Sequence, residues 1–196
     1  MKNIYLILLL VFGFSVIQAQ NGVFFGFSYG TSDVFRKDDS SHYNYTNKEY
    51  GIFILKEFAW KSNQENRINK FWFVQPQVNY GKYKFLADEV QQDIFKANVG
   101  GGIKFTKKIN KTSLHSKLSL NAGYQSGYYQ RLEKGVFFTE KLSLGLQFPL
   151  NPLLTTFIDI GAMHVSNANA HRLNRGLEVF FVEFGIQIPE KKIVKY

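Results

Sequence analysis

Apolar and polar residues alternate along this chain in eight separate stretches between Val23 and Ile188. A side-chain period of two marks β-strands, because successive side chains point to opposite faces. The predicted strands cover residues 23–29, 48–58, 71–82, 95–105, 114–124, 141–148, 157–166 and 178–188. In the third, Trp72, Val74, Val78 and Tyr80 oppose Gln75, Gln77 and Asn79. In the last, Phe180, Val182, Phe184, Ile186 and Ile188 oppose Glu183, Gly185 and Gln187. A tilted membrane strand needs about 9–11 residues, and eight is a common strand number for a single-chain bacterial barrel. The polar face carries Lys96, Lys104, Lys117, Asp159 and Glu183. A soluble sandwich would wet that face. A membrane barrel turns the apolar face to lipid and closes the charges as pairs inside a narrow lumen. Trp72, Tyr80, Tyr124 and Phe148 are candidates for the aromatic girdles of such a barrel. The reading is all-β: an eight-stranded antiparallel transmembrane β-barrel of the bacterial outer membrane.

The N-terminus sharpens this picture. Lys2 precedes an almost wholly apolar run from Ile4 to Val16, and Val16-Ile17-Gln18-Ala19 ends on a small residue. Residues 1–20 are expected to be a secretory signal peptide, and residues 21–196 a single barrel domain. After residue 20 no apolar run is long enough for a spanning helix, and mean hydropathy is only −0.18. Aromatics make up 17% of the chain, with twenty Phe and eleven Tyr, as suits a membrane barrel. With both termini in the periplasm, the odd-numbered strands run outward. The turns at residues 107–111 and 149–152 are then short periplasmic ones, while the long polar segment 31–47 is an outer loop. The 59–70 link is longer than that pattern expects. The net charge of +9 fits an anionic lipid surface better than nucleic acid in an exported protein. With no cysteine there is neither disulfide nor thiolate chemistry. The four histidines show no metal-ligand spacing, so neither metal nor other cofactor is expected.

Chemistry concentrates near the C-terminal end. His164-Val165-Ser166-Asn167-Ala168, then Asn174, Gly176 and Glu178, lie within fifteen consecutive residues. A hydroxyl, an imidazole and a carboxylate are the parts of an activated-serine hydrolase. Strand parity puts His164, Ser166 and Glu178 on the face of Ile158, Ile160, Phe180 and Val182, which looks to lipid. On neighbouring strands, opposite Cβ atoms lie about 4.5–5.5 Å apart, so the carboxylate can meet the imidazole. Polar groups on a lipid face are costly and call for a reason.

The run His-x-Ser-Asn-Ala, with an Asn ten residues and a Glu fourteen residues after the His, resembles the lipid A 3-O-deacylase family (PagL-like). These are outer-membrane barrels that remove an ester-linked acyl chain from lipid A. The resemblance is close from Gly161 to Gly185 and loose over the eight-strand plan. It implies Ser166 as nucleophile, His164 as general base and Glu178 as the acid that orients the imidazole. It further implies Asn167, with backbone N–H groups near Asn167 and Ala168, as oxyanion-hole donors. Asn174 and Gly176 would hold the connecting loop, with Asn174 a second oxyanion donor. The implied partners are lipid A or lipopolysaccharide in the outer leaflet and the surrounding outer-membrane lipids. No nucleic acid is implied, and a homodimer is left open. Two other readings stay open on the residues alone: a non-catalytic structural or adhesive barrel, and an esterase or phospholipase acting on another lipid.

Overall fold

The computed structural model describes residues 23–35, 45–60, 68–85, 91–127, 134–151, 153–167 and 176–188. The expected signal peptide and the Lys-rich tail at 191–196 lie outside them. Eight antiparallel strands close into a barrel in which each pairs with its sequence neighbour and the last with the first. They are β1 (Val23–Thr31), β2 (Tyr45–Ala59), β3 (Asn69–Phe85), β4 (Gln91–Ile109), β5 (Thr112–Gln125), β6 (Gly135–Asn151), β7 (Leu154–Ser166) and β8 (Leu177–Ile188). A short 3-10 turn, Asp33–Phe35, follows β1. Closure satisfies both edges of the sheet, which is the condition for strands to stand in lipid.

The alternation of the sequence becomes inside against outside. Phe27 and Leu120 on the outer wall are 66% and 67% exposed, whereas Asp159 and Glu183 are 0% and 1% exposed. This inverts the usual distribution of a water-soluble domain and leaves an apolar outer face suited to lipid. Two groups of aromatics bracket that face. Trp60 stacks on Trp72 at one end, and Tyr29–Tyr50 and Tyr80–Phe95 pack as tilted pairs at the other. Trp72 and Tyr80 are eight residues apart along β3, about 26 Å of strand at 3.3 Å per residue. A tilt of about 40° reduces that to roughly 20 Å of height, close to the apolar band of such barrels.

The lumen is filled by paired charges. Lys96, Lys104, Lys117 and Lys141 meet Glu49, Glu57, Asp159 and Glu183, so the formal charges balance. Glu183 lies at the centre, 2.5 Å from Lys141 Nζ and 3.3 Å from Lys117 Nζ, and accepts a 2.9 Å hydrogen bond from Gln75. Asp159 takes Lys117 and His115, each at 2.5 Å. Glu49 takes Lys96 at 2.6 Å and the Tyr83 hydroxyl. Lysines also lie over rings, as Lys141 does over Phe181 at 4.6 Å and Lys117 over Phe157 at 4.8 Å. Two apolar clusters cap the network: Phe24, Phe53, Leu55, Phe73 and Phe157 toward the end holding the chain termini, and Tyr83, Ile94, Phe137, Val165, Leu177 and Val179 toward the other. Two gaps among these side chains, one beside Ser28, Glu49 and Lys141 and one beside Gln75, Ser119 and Ser143, are water-sized.

The strands outrun their expected lengths. β4 begins at Gln91 and β6 at Gly135, while the 59–70 link shrinks to residues 60–68. The start of β4, Gln91-Gln92-Asp93, is polar on both faces and hides the period of two, whereas the start of β6 keeps Val136 and Phe138 outward and Phe137 inward. The β4–β5 connection is a tight turn, with Asn110 in the left-handed region at φ 54°, as Asn tolerates.

Candidate active site

β7 emerges from its apolar stretch at His164. Its outward residues run Ile158, Ile160, Ala162, His164 and Ser166, while Phe157, Asp159, Met163 and Val165 turn inward. β8 returns beside it with Glu178, Phe180, Val182 and Phe184 outward. Register makes His164 and Glu178 direct cross-strand partners. Their side chains meet, with His164 Nδ1 2.6 Å from Glu178 Oε1 and both groups 42% exposed. A carboxylate at Nδ1 selects the tautomer that carries its proton there, which leaves Nε2 as the acceptor.

Gly176 completes the setting of the ring. It has φ +67°, and a Cβ placed on it would lie 2.5 Å from His164 Cε1 and 3.1 Å from Nε2. Only glycine serves both needs: the left-handed backbone that turns the chain into β8, and direct contact with the imidazole. Behind this wall, Val165, Leu177 and Val179 are fully buried in the upper apolar cluster of the lumen. The strand pair is therefore packed on its inner side and open on its outer side.

Ser166 lies two residues beyond His164 on the same outward face, half-buried, with Phe138 of β6 as its cross-strand partner. No hydrogen bond joins Ser166 to His164 among the described residues. Such contacts are often long in the unliganded state and tighten around substrate. Asn167 is fully buried at the end of β7. Ala168 and Asn174 lie outside the described residues. The structure thus brings His164, Glu178 and Gly176 together, with Ser166 beside them. No cluster of three or more potential metal ligands occurs among the described residues.

One neighbour was not expected from the sequence. Glu140 of β6 is the other cross-strand partner of His164 and is exposed on the same face. The imidazole therefore has a carboxylate-bearing strand on each side. Glu140 lies in the extension of β6 where Thr139-Glu140-Lys141 interrupts the apolar rhythm, and only the extended strand and its register reveal its place.

Comparison with known proteins bears on this geometry. Residues 48–187, 140 of the 196, match the family described as lipid A 3-O-deacylase (PagL). Among solved structures, the outer membrane enzyme PagL is similar over 85% of this chain and 99% of its own, at 14% identity and a TM-score of 0.60. Neisserial surface protein A (NspA) is 12% identical over 88% of this chain and 98% of its own, with a TM-score of 0.46. The attachment invasion locus protein Ail of Yersinia pestis is 14% identical over 86% and 96%, with a TM-score of 0.39. No curated protein matches the sequence.

Proposed function

The chain belongs to the lipid A 3-O-deacylase (PagL) family, and on that premise we propose that it is an outer-membrane esterase that hydrolyses a 3-O-linked acyl chain of lipid A through Ser166, His164 and Glu178. The observation that carries this reading is the 2.6 Å His164–Glu178 contact on the lipid-facing wall, where the apolar surface ends. A structural barrel has no need of an imidazole–carboxylate pair at that boundary.

In this mechanism Ser166 Oγ attacks the ester carbonyl while His164 Nε2 takes its proton. Glu178 holds Nδ1–H and stabilises the imidazolium. The tetrahedral intermediate collapses as His164 returns the proton to the leaving sugar hydroxyl. Water, activated by the same imidazole, then releases the fatty acid from the acyl-serine. Backbone N–H groups after Ser166, with Asn167 and Asn174, are the oxyanion donors the family resemblance assigns. Each such donor is worth roughly 10²–10³ in rate. The acyl chain itself would lie along the outer wall of β6 to β8, because the lumen is filled by charged side chains. Export by the N-terminal signal peptide, with both chain termini in the periplasm, would put the site at the outer leaflet.

The test is mass spectrometry of lipid A from Gram-negative cells expressing the wild type or Ser166→Ala. The expected result is loss of one hydroxyacyl mass with the wild type alone. Unchanged lipid A with a folded wild-type barrel would overturn the assignment of substrate, and fatty acid released from glycerophospholipid would transfer the activity there.

A further inference from the structure

On the far side of β1 from the active site, the outer wall carries a second polar feature. Lys48 of β2 and Lys82 of β3 are direct cross-strand partners, both exposed on the outward face. Lys84, two residues on, is exposed on the same face. Like charges placed opposite each other on neighbouring strands are destabilising, and none of the three lysines makes an ion pair among the described residues. Asp93, exposed on the same face, pairs in register with Lys82 but makes no ion pair with it among the described residues.

The position of the pair is specific. One step inward on the same face, Tyr29, Tyr50, Tyr80 and Phe95 follow one another in register from β1 to β4. Such an aromatic row marks the head-group level of a bilayer, so the lysines stand where lipid phosphates stand. The row that contains them runs without a break from the active-site strands: Ala162 pairs with Phe180, Phe180 with Thr31, Thr31 with Lys48 and Lys48 with Lys82. Phe180 is the outward neighbour of Glu178. Three strand spacings and two residues of strand, about 16 Å between backbones, separate His164 from Lys48, a span that a phosphorylated disaccharide head group and the lysine side chain can bridge together.

We infer that Lys48 and Lys82 form a phosphate-binding subsite for the head group of a glycolipid whose acyl ester lies at His164 and Ser166. The inference rests on the deacylase reading for the identity of that lipid. In this arrangement the phosphate relieves the repulsion between the two ammonium groups and fixes the head group over β8, β1 and β2. The acyl chains then run down the apolar wall below the tyrosines. Lys84 adds positive potential at the outer edge of the subsite.

Binding, measured without turnover, tests it. Full-length Ser166→Ala protein in detergent micelles is titrated with bisphosphorylated lipid A and with the same lipid after phosphatase treatment. Bound lipid is counted by native mass spectrometry. Lys48→Gln/Lys82→Gln should weaken binding of the phosphorylated lipid about tenfold or more, since each lysine near an anionic head group contributes appreciably. It should leave the dephosphorylated lipid unaffected. Lys48→Arg/Lys82→Arg, which keeps the charges, should bind as the parent does. Equal affinity of the Gln variant and the parent for phosphorylated lipid A would overturn the subsite, and so would an equal loss with both lipids. Failure of the deacylase reading would appear instead as unchanged lipid A in expressing cells, a result on which these titrations do not depend.

Discussion

Two histidine–carboxylate pairs meet on β7, and they have opposite fates. Asp159, on the inner face, holds His115 at 2.5 Å. His164, on the outer face, holds Glu178 at 2.6 Å. The chemistry of each contact is the same. What differs is everything around it. The inner pair is sealed: Asp159 also takes Lys117, the His115 ring packs edge-on against Phe157, and neither residue meets solvent. The outer pair is half exposed, has a serine two residues away and faces the surface where a lipid ester would lie. An imidazole held by a carboxylate is a structural cross-link where burial shuts it off from any reactant, and a candidate base where one ring nitrogen is left facing one.

Removing each imidazole in turn makes the sharpest break between the two. His164→Ala should lower deacylation by about 10⁴-fold or more, as loss of a triad base does, while the barrel keeps its heat-modifiable migration on gels. His115→Ala should do the reverse. Deacylation persists in folded protein, but the unfolding midpoint in urea falls, because a buried hydrogen-bonded group lost from a network costs about 1–3 kcal/mol. Comparable loss of activity in both variants would remove the distinction.

Next in size is a prediction about the lumen alone. Glu183 neutralises Lys141 and Lys117 at the centre of the barrel. Glu183→Ala takes the counter-charge from Lys141, while Lys117 keeps Asp159, and unpairing a buried charge costs about 3–5 kcal/mol. Equilibrium unfolding in detergent or lipid should register that loss. A Glu183→Ala/Lys141→Ala double variant should recover part of it, because the charge balance returns. Loss of stability with the specific activity of the folded fraction retained would keep the two faces of the sheet functionally separate.

How much of this was legible before the fold was known follows the same division of faces. The outer wall was legible, because a lipid-facing strand is apolar at every second position and the period survives in the sequence. Parity alone put His164, Ser166 and Glu178 on one face, and a β7–β8 hairpin is enough to oppose His164 and Glu178. The inner wall was legible only as a set of charges. Lys117 meets Asp159 and Glu183 across the lumen, a choice made by barrel closure that no local pattern encodes. Glu140 was hidden for a related reason: with Thr139 and Lys141 beside it, it interrupts the apolar rhythm between Phe138 and Leu142, just where the expected strand began. The opposition of Lys48 and Lys82 likewise depends on the register between β2 and β3.

The smallest predicted effect probes how finely the outer pair is held. Gly176 touches the edge of the His164 ring that carries Cε1 and Nε2, and its backbone lies in the left-handed region. Gly176→Ala therefore strains the turn into β8 and pushes a methyl group into the imidazole. The ring can yield by rotating away from Glu178 or by tilting Nε2 away from Ser166. Displacement of a reacting group by about 1 Å costs on the order of 10²-fold, so deacylation should fall about 10- to 100-fold, less than on removal of His164. The loss should lie in kcat rather than KM, because Gly176 meets the base and not the acyl chain. Gly145 provides the matched control on the inner face: a Cβ there would lie 2.6 Å from His115 Nε2 and closer still to Asp159. Gly145→Ala should lower the urea midpoint and spare the kcat of the folded protein. If instead Gly176→Ala alters only stability, the outer imidazole is held no more finely than the inner one, and the contrast between the two pairs lies in exposure alone.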